Sequence, residues 1–372
     1  MLAALLRKET LEIVRDPITL AVALILPLIM LLLFGYGLSM DVEHVRTVVY
    51  DQDRSQESAR FVEAFTQGPY FERRGNVWSL REAGAALDKG DATIVIVIPP
   101  DFARRLAAGV SAPVQILIDG SFSPTALIVS NYATAIVNRF STRLAQERLD
   151  RFGLNAPPLI RLESRVWYNA PMKTVNYIVP GLFAVLLMAF PPMLTALAVV
   201  RERERGTIEQ IYVSPVSPAM FIVGKIIPYA VIAFCEMLLI LVVGTAWFEI
   251  PMRGSLGLLL GASMLYVFVT VGLGVAISAV AKTQVAAVLL SAVGTLMPSF
   301  LFSGFLFPIA TMPYVLQIYT YVFPARYFND ISRDLFLKGV GIEYLWGNVA
   351  LLALYAALLV IAASLTLRKK VA

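Results

Sequence analysis

Histidine and cysteine are almost missing from this sequence, which contains one of each among 372 residues. The single cysteine, Cys235, lies in an apolar block, so no disulfide can form within the chain. A lone histidine such as His44 is more often structural than a metal ligand, and no HExxH, GxSxG or Cys/His ligand set is present. Ser/Lys catalysis stays open without a pattern that favours it. We therefore predict no catalytic residue, no metal site and no cofactor in this chain.

Charged residues are also scarce, at 15% against about 25% in an average soluble domain. Hydrophobic residues make up 58%, and the mean hydropathy is +0.73. The apolar excess is concentrated in blocks of about 20 residues, the length that crosses a bilayer core as a helix. The net charge of +5 is small and forms no basic face, so nucleic acid is not an expected partner. The composition indicates an integral membrane protein.

A nucleotide-binding motif is suggested at one place only and fails there. Gly224-Lys225 resembles the end of a P-loop, but that motif needs glycine at position 219 and Ser or Thr at position 226. The sequence has Ala219 and Ile226 instead. The chain cannot make its own nucleotide site by this route.

The first 17 residues are predicted to form an amphipathic helix on the membrane surface. Asp16-Pro17 then starts a new helix, since Asp can cap and Pro fits the first helical position. The first membrane span is predicted at 18–38. A cleaved signal peptide is the competing interpretation, but no small-x-small site follows the apolar run. The apolar face of the surface helix combines these side chains: Leu2, Leu5, Leu6, Ile13 and Val14.

Residues 39–176 hold most of the charge and alternate short β-rich runs with helical ones, which predicts an α/β domain with a mixed sheet. The most apolar strand is predicted at 93–98, where Pro99-Pro100 ends it. Further strands are expected at 47–50, 70–78, 113–119 and 159–168, and helices at 55–67, 79–89, 101–108 and 123–151.

Residues 177–372 contain five further apolar blocks, at 177–200, 221–247, 256–280, 284–307 and 346–367. With the first span, these predict a polytopic α-helical membrane protein with six transmembrane helices. The segment 308–345 is too polar and proline-rich for a span, and is predicted to hold re-entrant or interfacial helices.

Lysine and arginine in the short segments predict the orientation, because these residues are retained on the cytoplasmic side. Eleven lie on one side and four on the other, with the long 39–176 domain left out of the count. Both termini and the 201–220 loop are therefore predicted to be cytoplasmic, and the α/β domain extracytoplasmic. The eleven are Arg7, Lys8, Arg15, Arg201, Arg203, Arg205, Lys225, Lys282, Arg368, Lys369 and Lys370, and the four are Arg253, Arg326, Arg333 and Lys338.

Two sets of side chains inside the spans invite functional hypotheses. Glu236 lies in the middle of the third span, where a carboxylate marks either a polar site on a substrate or cation path or a helix–helix hydrogen bond. Aromatic side chains in the second and fifth spans either line a translocation path or face lipid and neighbouring helices. The aromatic candidates are Phe183, Phe190, Phe300 and Phe305.

The densest charge in the chain is the run RERERGTIEQ at 201–210, between the second and third spans. Its alternating arginines and glutamates are able to pair with another protein, since Arg binds carboxylates bidentately. A simpler interpretation is that these charges only mark the cytoplasmic end of a span.

The run 201–215, RERERGTIEQIYVSP, resembles the signature of ABC-2-type exporter permeases. Further pieces match in order: Lys8-Glu9, Arg15-Asp16-Pro17, Phe34-Gly35-Tyr36-Gly37, Trp167-Tyr168-Asn169, Val179-Pro180-Gly181, Gly224 to Tyr229, Ser303-Gly304-Phe305 and Pro324 to Phe328. The resemblance covers the whole chain, and it is strongest to the bacterial multidrug-export branch. Ala170 stands where the family usually has proline, which puts only a local turn in doubt.

The resemblance implies a permease of the bacterial inner membrane that pairs with a second copy or a paralogue as a dimer. Separate ABC ATP-binding subunits, which carry ATP and Mg²⁺, would dock on the surface helix and the 201–215 loop. A periplasmic membrane-fusion adaptor and an outer-membrane channel are further expected partners. The residues expected to couple ATP hydrolysis to transport are Arg201, Glu202, Glu204, Gly206, Thr207 and Glu209, with Gly206 providing a bend.

We therefore predict a permease subunit, not itself an enzyme, of an ATP-driven exporter that moves amphipathic drugs out of the cytoplasm or inner leaflet. One alternative is a lipid, glycolipid or peptide exporter on the same scaffold. A second is a non-transporting membrane sensor or scaffold.

Overall fold

The computed structural model describes residues 2–38, 44–121, 123–151, 167–169, 173–206 and 218–368. The chain divides into two compact units. One contains Met1–Ser39 and Val166–Ala372, called here the membrane unit, and the other contains Met40–Arg165, called the inserted unit.

The inserted unit alternates strands and helices in the order that its sequence pattern predicts. Its strands are β1 (Val45–Asp51), β2 (Phe71–Asn76), β3 (Ile94–Ile98) and β4 (Gln115–Ile118). Its helices are α3 (Gln56–Thr66), α4 (Leu80–Asp88), α5 (Phe102–Ala108) and α6 (Ser123–Arg151). The predicted strand at 159–168 lies mostly outside the described residues.

The strands form one mixed sheet in the order β2-β1-β3-β4. β1 pairs in parallel with β2 and with β3, whereas β3 and β4 are antiparallel. β3 is buried along its whole length, as expected for an inner strand that is covered on both faces. Its even-numbered isoleucines pack with Phe61 and Phe65 of α3, and Val95 and Val97 pack on the opposite face with Ala83 of α4.

The membrane unit contains the six helices that are long and apolar enough to cross a bilayer, so the six predicted spans are confirmed by length and composition. The α-helices of this unit are, in chain order, α1 (Leu2–Val14), α2 (Pro17–Gly37), α7 (Val175–Glu204), α8 (Pro218–Ala246), α9 (Leu256–Val280), α10 (Gln284–Ser291), α11 (Met297–Phe302), α12 (Tyr314–Thr320), α13 (Pro324–Arg333) and α14 (Ile342–Arg368). The spans are formed by α2, α7, α8, α9, α10 with α11, and α14, whereas α1, α12 and α13 are shorter helices outside them. A π-helix, Ala292–Leu296, joins α10 to α11 within one span.

Helix α7 is the centre of the membrane unit. In the most apolar 18-residue stretch of α7, 83% of the residues are buried, compared with 22% in the corresponding stretch of α2 and 11% in that of α14. It packs against α2, α8, α9, α10 and α13. Three prolines, Pro180, Pro191 and Pro192, lie within it, and the Thr195 hydroxyl donates to the Pro191 carbonyl oxygen at 2.7 Å. Such prolines are tolerated in spans where neighbouring groups satisfy the backbone.

The structure adds detail at three places. Residues 201–204 are the last turn of α7. The segment 308–345, predicted to hold re-entrant or interfacial helices, contains α12, α13 and a π-helix at Asp334–Lys338. Val14 is 62% exposed, so it does not share the buried face of α1 with Ile13, because α1 buries only the stripe that meets the spans.

Gly274 sets the distance between α7 and α9. A Cβ atom there would lie 2.5 Å from the Pro192 carbonyl oxygen and 2.7 Å from Thr195 Cβ. We expect Gly274→Ala to destabilise the protein by about 1–3 kcal/mol, because the backbone of α7 must move. Gly261→Ala on the same helix is the control, since nothing lies within 4 Å of its Cβ position. The measurement is the melting temperature in detergent, and equal values for the two variants would contradict the expectation.

Candidate functional site

The last turn of α7 carries four charged residues, and each of them contacts a different part of the membrane unit. We call Arg201 to Glu204 and their partners the charge hub. A helix end exposes unsatisfied backbone groups and is normally surrounded by water. Here its side chains bind α1, α2, α8, the end of α9 and the start of α10.

Glu202 lies at the middle of the hub and is buried. One carboxylate oxygen accepts a hydrogen bond from the Lys8 ammonium group of α1. The other lies 3.0 Å from the Lys225 ammonium group of α8. Partial burial would lower the pKa of Lys8, but the hydrogen bond to Glu202 and the charges of Glu202 and Glu9 outweigh it and raise that pKa.

Lys225 and Glu9 complete the buried ion cluster. The Lys225 ammonium group donates to Glu9 at 2.6 Å, and the Lys8 ammonium group lies 3.0 Å from the other Glu9 oxygen. Two lysines therefore balance two buried carboxylates. A buried ion pair contributes modest net stability, but the loss of one partner leaves a charge without compensation.

Arg201 joins the hub to the start of the first span. Its guanidinium donates to Asp16 at 2.8 Å, and Asp16 also caps α2 by accepting from the Thr19 backbone N–H. The hydrogen bond from the Thr19 hydroxyl, with that from Arg201, lowers the pKa of Asp16 to about 2. Because this value lies below the ordinary one of 3.8, the contact stabilises the folded chain at neutral pH and is lost only as pH falls toward about 2.

Arg203 and Glu204 bind the connection between α9 and α10. Arg203 donates to the Ala281 carbonyl oxygen at 3.0 Å. The Glu204 carboxylate accepts from the Gln284 backbone N–H at 2.9 Å and from the Gln284 side-chain amide. Glu204 thus satisfies a backbone donor at the first turn of α10. The contacts of Arg201 to Glu204 therefore lie within the membrane unit.

Three carboxylates of the hub, Glu9, Glu12 and Glu202, place oxygen atoms within 4.8 Å of one another, a spacing that suits a metal ion. The ammonium groups of Lys8 and Lys225 already lie among them. The arrangement is therefore an ion cluster whose cations are supplied by the protein.

The other residues predicted to couple to an ATPase are described only in part. Gly206 has a φ of +70°, a conformation that glycine adopts without strain, and it directly follows the C-cap residue of α7, Arg205. Its Cβ position meets open space, so a partner surface could approach it. Thr207 and Glu209 lie outside the described residues and stay predictions.

The sequence interpretation missed the partners of Glu202. Glu9 lies on the same stripe of α1 as Leu2 and Ile13, and an acidic residue on an apolar stripe is the signal that could have identified it. Gly224 lets α1 pack on α8, because a Cβ atom there would lie 2.1 Å from Leu5. The sequence interpretation assigned no contact to Gly224 or to Lys225.

Glu236 lies away from the hub, in the middle of α8. It is 1% exposed, and neither carboxylate oxygen has a hydrogen-bond partner among the described residues. Both predicted roles of Glu236, a polar site on a path and a helix–helix hydrogen bond, stay predictions.

The four aromatic residues predicted along a path make different contacts in the structure. The rings of Phe300 and Phe305 lie 5.6 Å apart, and Phe34 of α2 lies 5.3 Å from Phe300. Phe183 packs instead on Phe336, at 5.4 Å. Phe190 is buried on α7 two turns beyond Phe183.

Comparison with known proteins identifies a common scaffold. Residues 17–365 match the family model described as ABC-2 family transporter protein. The probable multidrug ABC transporter permease YbhS of Escherichia coli K12 is 34% identical over 337 residues, which are 90% of this chain and 88% of that protein. The probable multidrug ABC transporter permease YbhR of the same organism is 30% identical over 367 residues, 99% of this chain and 98% of that protein. The inner membrane transport permease YhhJ is 28% identical over 302 residues, 80% of this chain and 78% of that protein.

The buried ion cluster makes a prediction about stability. We expect Lys225→Met to destabilise the protein by about 3–5 kcal/mol, because Glu9 and Glu202 would share one cation. Adding Glu9→Gln to this variant should recover part of the loss. Glu12→Gln is the control, since that side chain is 41% exposed, and it should change stability by less than about 1 kcal/mol. The melting temperature in detergent decides, and a greater loss in the double variant would refute the cluster.

Proposed function

Because this chain belongs to the ABC-2 family of transporter proteins, we propose that it is the permease subunit of an ATP-driven exporter. The family membership and the six membrane-crossing helices make it a multi-pass membrane protein and a transport component. We propose further that the charge hub is where ATP-driven movement enters the permease.

The observation that carries this proposal is the spread of contacts from one helix turn. Arg201, Glu202, Arg203 and Glu204 contact helices of four of the six spans besides their own helix α7 and the surface helix α1. A displacement of the segment that follows, residues 207–217, would therefore move α2, α8, α9 and α10 together. This would shift a two-state transporter between inward-open and outward-open forms.

The energy for this movement would come from other chains. The sequence Ala219 to Ile226 lacks the residues of a P-loop, and the family resemblance implies separate ATP-binding subunits that carry ATP and Mg²⁺. They would dock on α1 and on the loop after α7. The exposed side of α1 offers Arg7, Leu11 and Arg15 for such contacts.

We place both termini and the charge hub on the cytoplasmic side of the inner membrane, on the excess of lysine and arginine there. The inserted unit, whose four-stranded sheet is described above, would then lie outside the cytoplasm. A periplasmic membrane-fusion adaptor and an outer-membrane channel are its proposed partners. We also propose that two permeases, identical or paralogous, form the complete path.

Amphipathic small molecules, including drugs, are the proposed cargo. Support comes from the names of YbhS and YbhR, which describe probable multidrug permeases, and from the apolar lining that Phe300 and Phe305 would offer. A lipid, glycolipid or peptide cargo on the same scaffold is the alternative. Drug-sensitivity and membrane-lipid profiles of a deletion strain separate these classes.

Glu204 gives the test of coupling. In a transporter reconstituted with its ATP-binding subunits, we expect Glu204→Ala to lower export at least about tenfold while most ATP hydrolysis is retained, because the first turn of α10 loses its two hydrogen bonds to the end of α7. Lys282→Ala is the control, an exposed charge beside the same connection without an ion pair among the described residues. Normal export by Glu204→Ala together with Glu209→Ala would reduce the run to a marker of topology.

Glu236 gives a test of the path. If its buried carboxyl group lies on the route of a positively charged cargo, Glu236→Gln should reduce export of cationic substrates at least about tenfold and change neutral ones little. The measurement is export of one cationic and one neutral substrate by the same preparation. Unchanged export of both would assign Glu236 to helix packing.

A second candidate function, sensing or scaffolding by the inserted unit, is favoured by one observation. A cleft of about 550 Å³ opens beside α3, lined by Arg54, Arg73 and Trp78 among others. The Arg54 guanidinium lies 4.8 Å from the Trp78 ring centroid. A sensor would bind a ligand in this cleft without affecting the ATP hydrolysis of any partner protein. A permease subunit, in contrast, should stimulate the ATP hydrolysis of an ATP-binding partner, or its transport should be stimulated by that partner.

A further inference from the structure

Arg333, the last residue of α13, is a buried cation that forms no ion pair within 4.0 Å among the described residues, although the Asp330 carboxylate lies near enough on the same helix to favour its charge. Its guanidinium binds backbone oxygen atoms instead. It donates to the Gly304 oxygen at 2.7 Å, to the Phe305 oxygen at 2.9 Å and to the Tyr177 oxygen at 3.3 Å, and it lies 3.6 Å from the Tyr177 ring centroid. Gly304 and Phe305 follow α11, and Tyr177 is in the first turn of α7. Arg333 therefore joins the ends of two spans.

Two neighbours on the same face of α13 make equivalent contacts. The Asn329 amide donates to the Ser303 oxygen at 2.9 Å, at the end of α11. The Ser332 hydroxyl donates to the Pro180 oxygen of α7 at 2.7 Å. Asn329, Ser332 and Arg333, spaced i, i+3 and i+4, form one buried surface, which we call the α13 latch.

The α13 latch packs against Gly181, a position where α7 has no side chain. A Cβ atom at Gly181 would lie 2.6 Å from the Phe305 ring, 2.8 Å from Arg333 Nη2 and 3.1 Å from Asn329 Oδ1. The Asn329 oxygen is buried and has no donor among the described residues. An unsatisfied buried acceptor of this kind calls for an explanation, and an element that leaves this position during the working cycle supplies one.

The location of the latch relates it to the charge hub. Tyr177 and Gly181 are near the first residue of α7, and the hub is at its last turn. About 20 residues of helix at 1.5 Å each separate the two, a distance of about 30 Å, which is the thickness of a bilayer core. The latch and the hub thus lie at opposite ends of the most buried span.

We propose that Arg333 is a positioning residue of the transport cycle, which holds the ends of α7 and α11 together on the side opposite the hub until they separate to release cargo. The proposal rests on the proposed function. A fixed structural role would require only that the contacts exist, whereas a latch must open when the ATP-binding subunits act. Arginine suits this role because its planar fork binds several acceptors at once, and water can replace them when it is released.

The test measures how fast a thiol introduced next to Gly181 in the chain reacts with a maleimide. In a Cys235→Ser background, Leu182→Cys places one thiol on α7 beside Gly181, at a side chain that is fully buried. A membrane-impermeant maleimide is added to intact cells and to inverted vesicles that contain the full chain with its ATP-binding subunits. We expect Arg333→Gln to raise the labelling rate at least about tenfold, because several charge-assisted hydrogen bonds are lost. In the parent with Arg333, ATP binding should raise the labelling rate of Leu182→Cys. In Arg333→Gln, the labelling rate should be the same with and without ATP.

The control is Arg326→Gln, which removes a cation from the same helix. Arg326 contacts Thr320 and the Tyr321 ring, which lie six and five residues before it in the chain. The labelling rate of Leu182→Cys should therefore stay within about twofold of the parent. A thiol at Met237→Cys, fully buried in α8, should stay unlabelled in every variant, which excludes general loosening of the fold. If Arg333→Gln does not accumulate in the membrane, Ser332→Ala replaces it, with an expected increase of about threefold.

Equal labelling of Leu182→Cys in Arg333→Gln and Arg326→Gln would overturn the latch, and so would labelling of the parent that ATP does not change. Failure of the proposed function would look different. Faster labelling in Arg333→Gln, together with ATP hydrolysis but no export of any cargo by the parent, would remove the exporter assignment and leave the latch in place.

Discussion

The ion cluster of Glu202 with Lys8 and Lys225 is the interaction on which the organisation of the membrane unit depends. It joins the surface helix α1, the central helix α7 and the start of α8 at one buried point. Because Glu202 and Lys225 are shielded from water, removing either one leaves its partner without compensation, so the helices that carry them are constrained to move together. The packing of α1 on α8 at Gly224 has the same effect without charge.

Helix α7 makes polar contacts at both of its ends. Its last turn binds the cluster, and its first turns, at Tyr177 and Gly181, meet Arg333. Both ends use buried basic side chains, but their chemistry differs. The cluster pairs full charges, whereas the hydrogen bonds of Arg333 go to backbone oxygens, which are weaker acceptors that water can replace, and its guanidinium also lies over the Tyr177 ring. A strong joint at one end and a weaker one at the other suits a helix that transmits movement in one direction.

Much of the fold could be predicted from local pattern. The alternation of apolar runs and turn residues located the four described strands, and runs of about 20 apolar residues located the six spans, because both signals depend only on neighbours in sequence. The functional site was harder to predict. The run at 201–204 was found from its charge density, but its partners were expected on another protein. Glu202 instead reaches Lys8 and Lys225, which are 194 and 23 positions away in the chain.

The sequence by itself determined that this chain has six apolar segments long enough to cross a membrane, that a mixed α/β unit lies between the first and second of them, and that residues 219–226 do not form a P-loop. Length, periodicity and the absence of particular residues are sufficient for such conclusions. Only the tertiary structure decided that Glu9 and Glu202 share two lysines, that Arg333 binds the backbone of two spans, and that Glu236 has no partner among the described residues. The physical reason is that a charge in a low-dielectric interior is defined by what lies within a few ångströms of it, and helix packing, not sequence spacing, sets those neighbours.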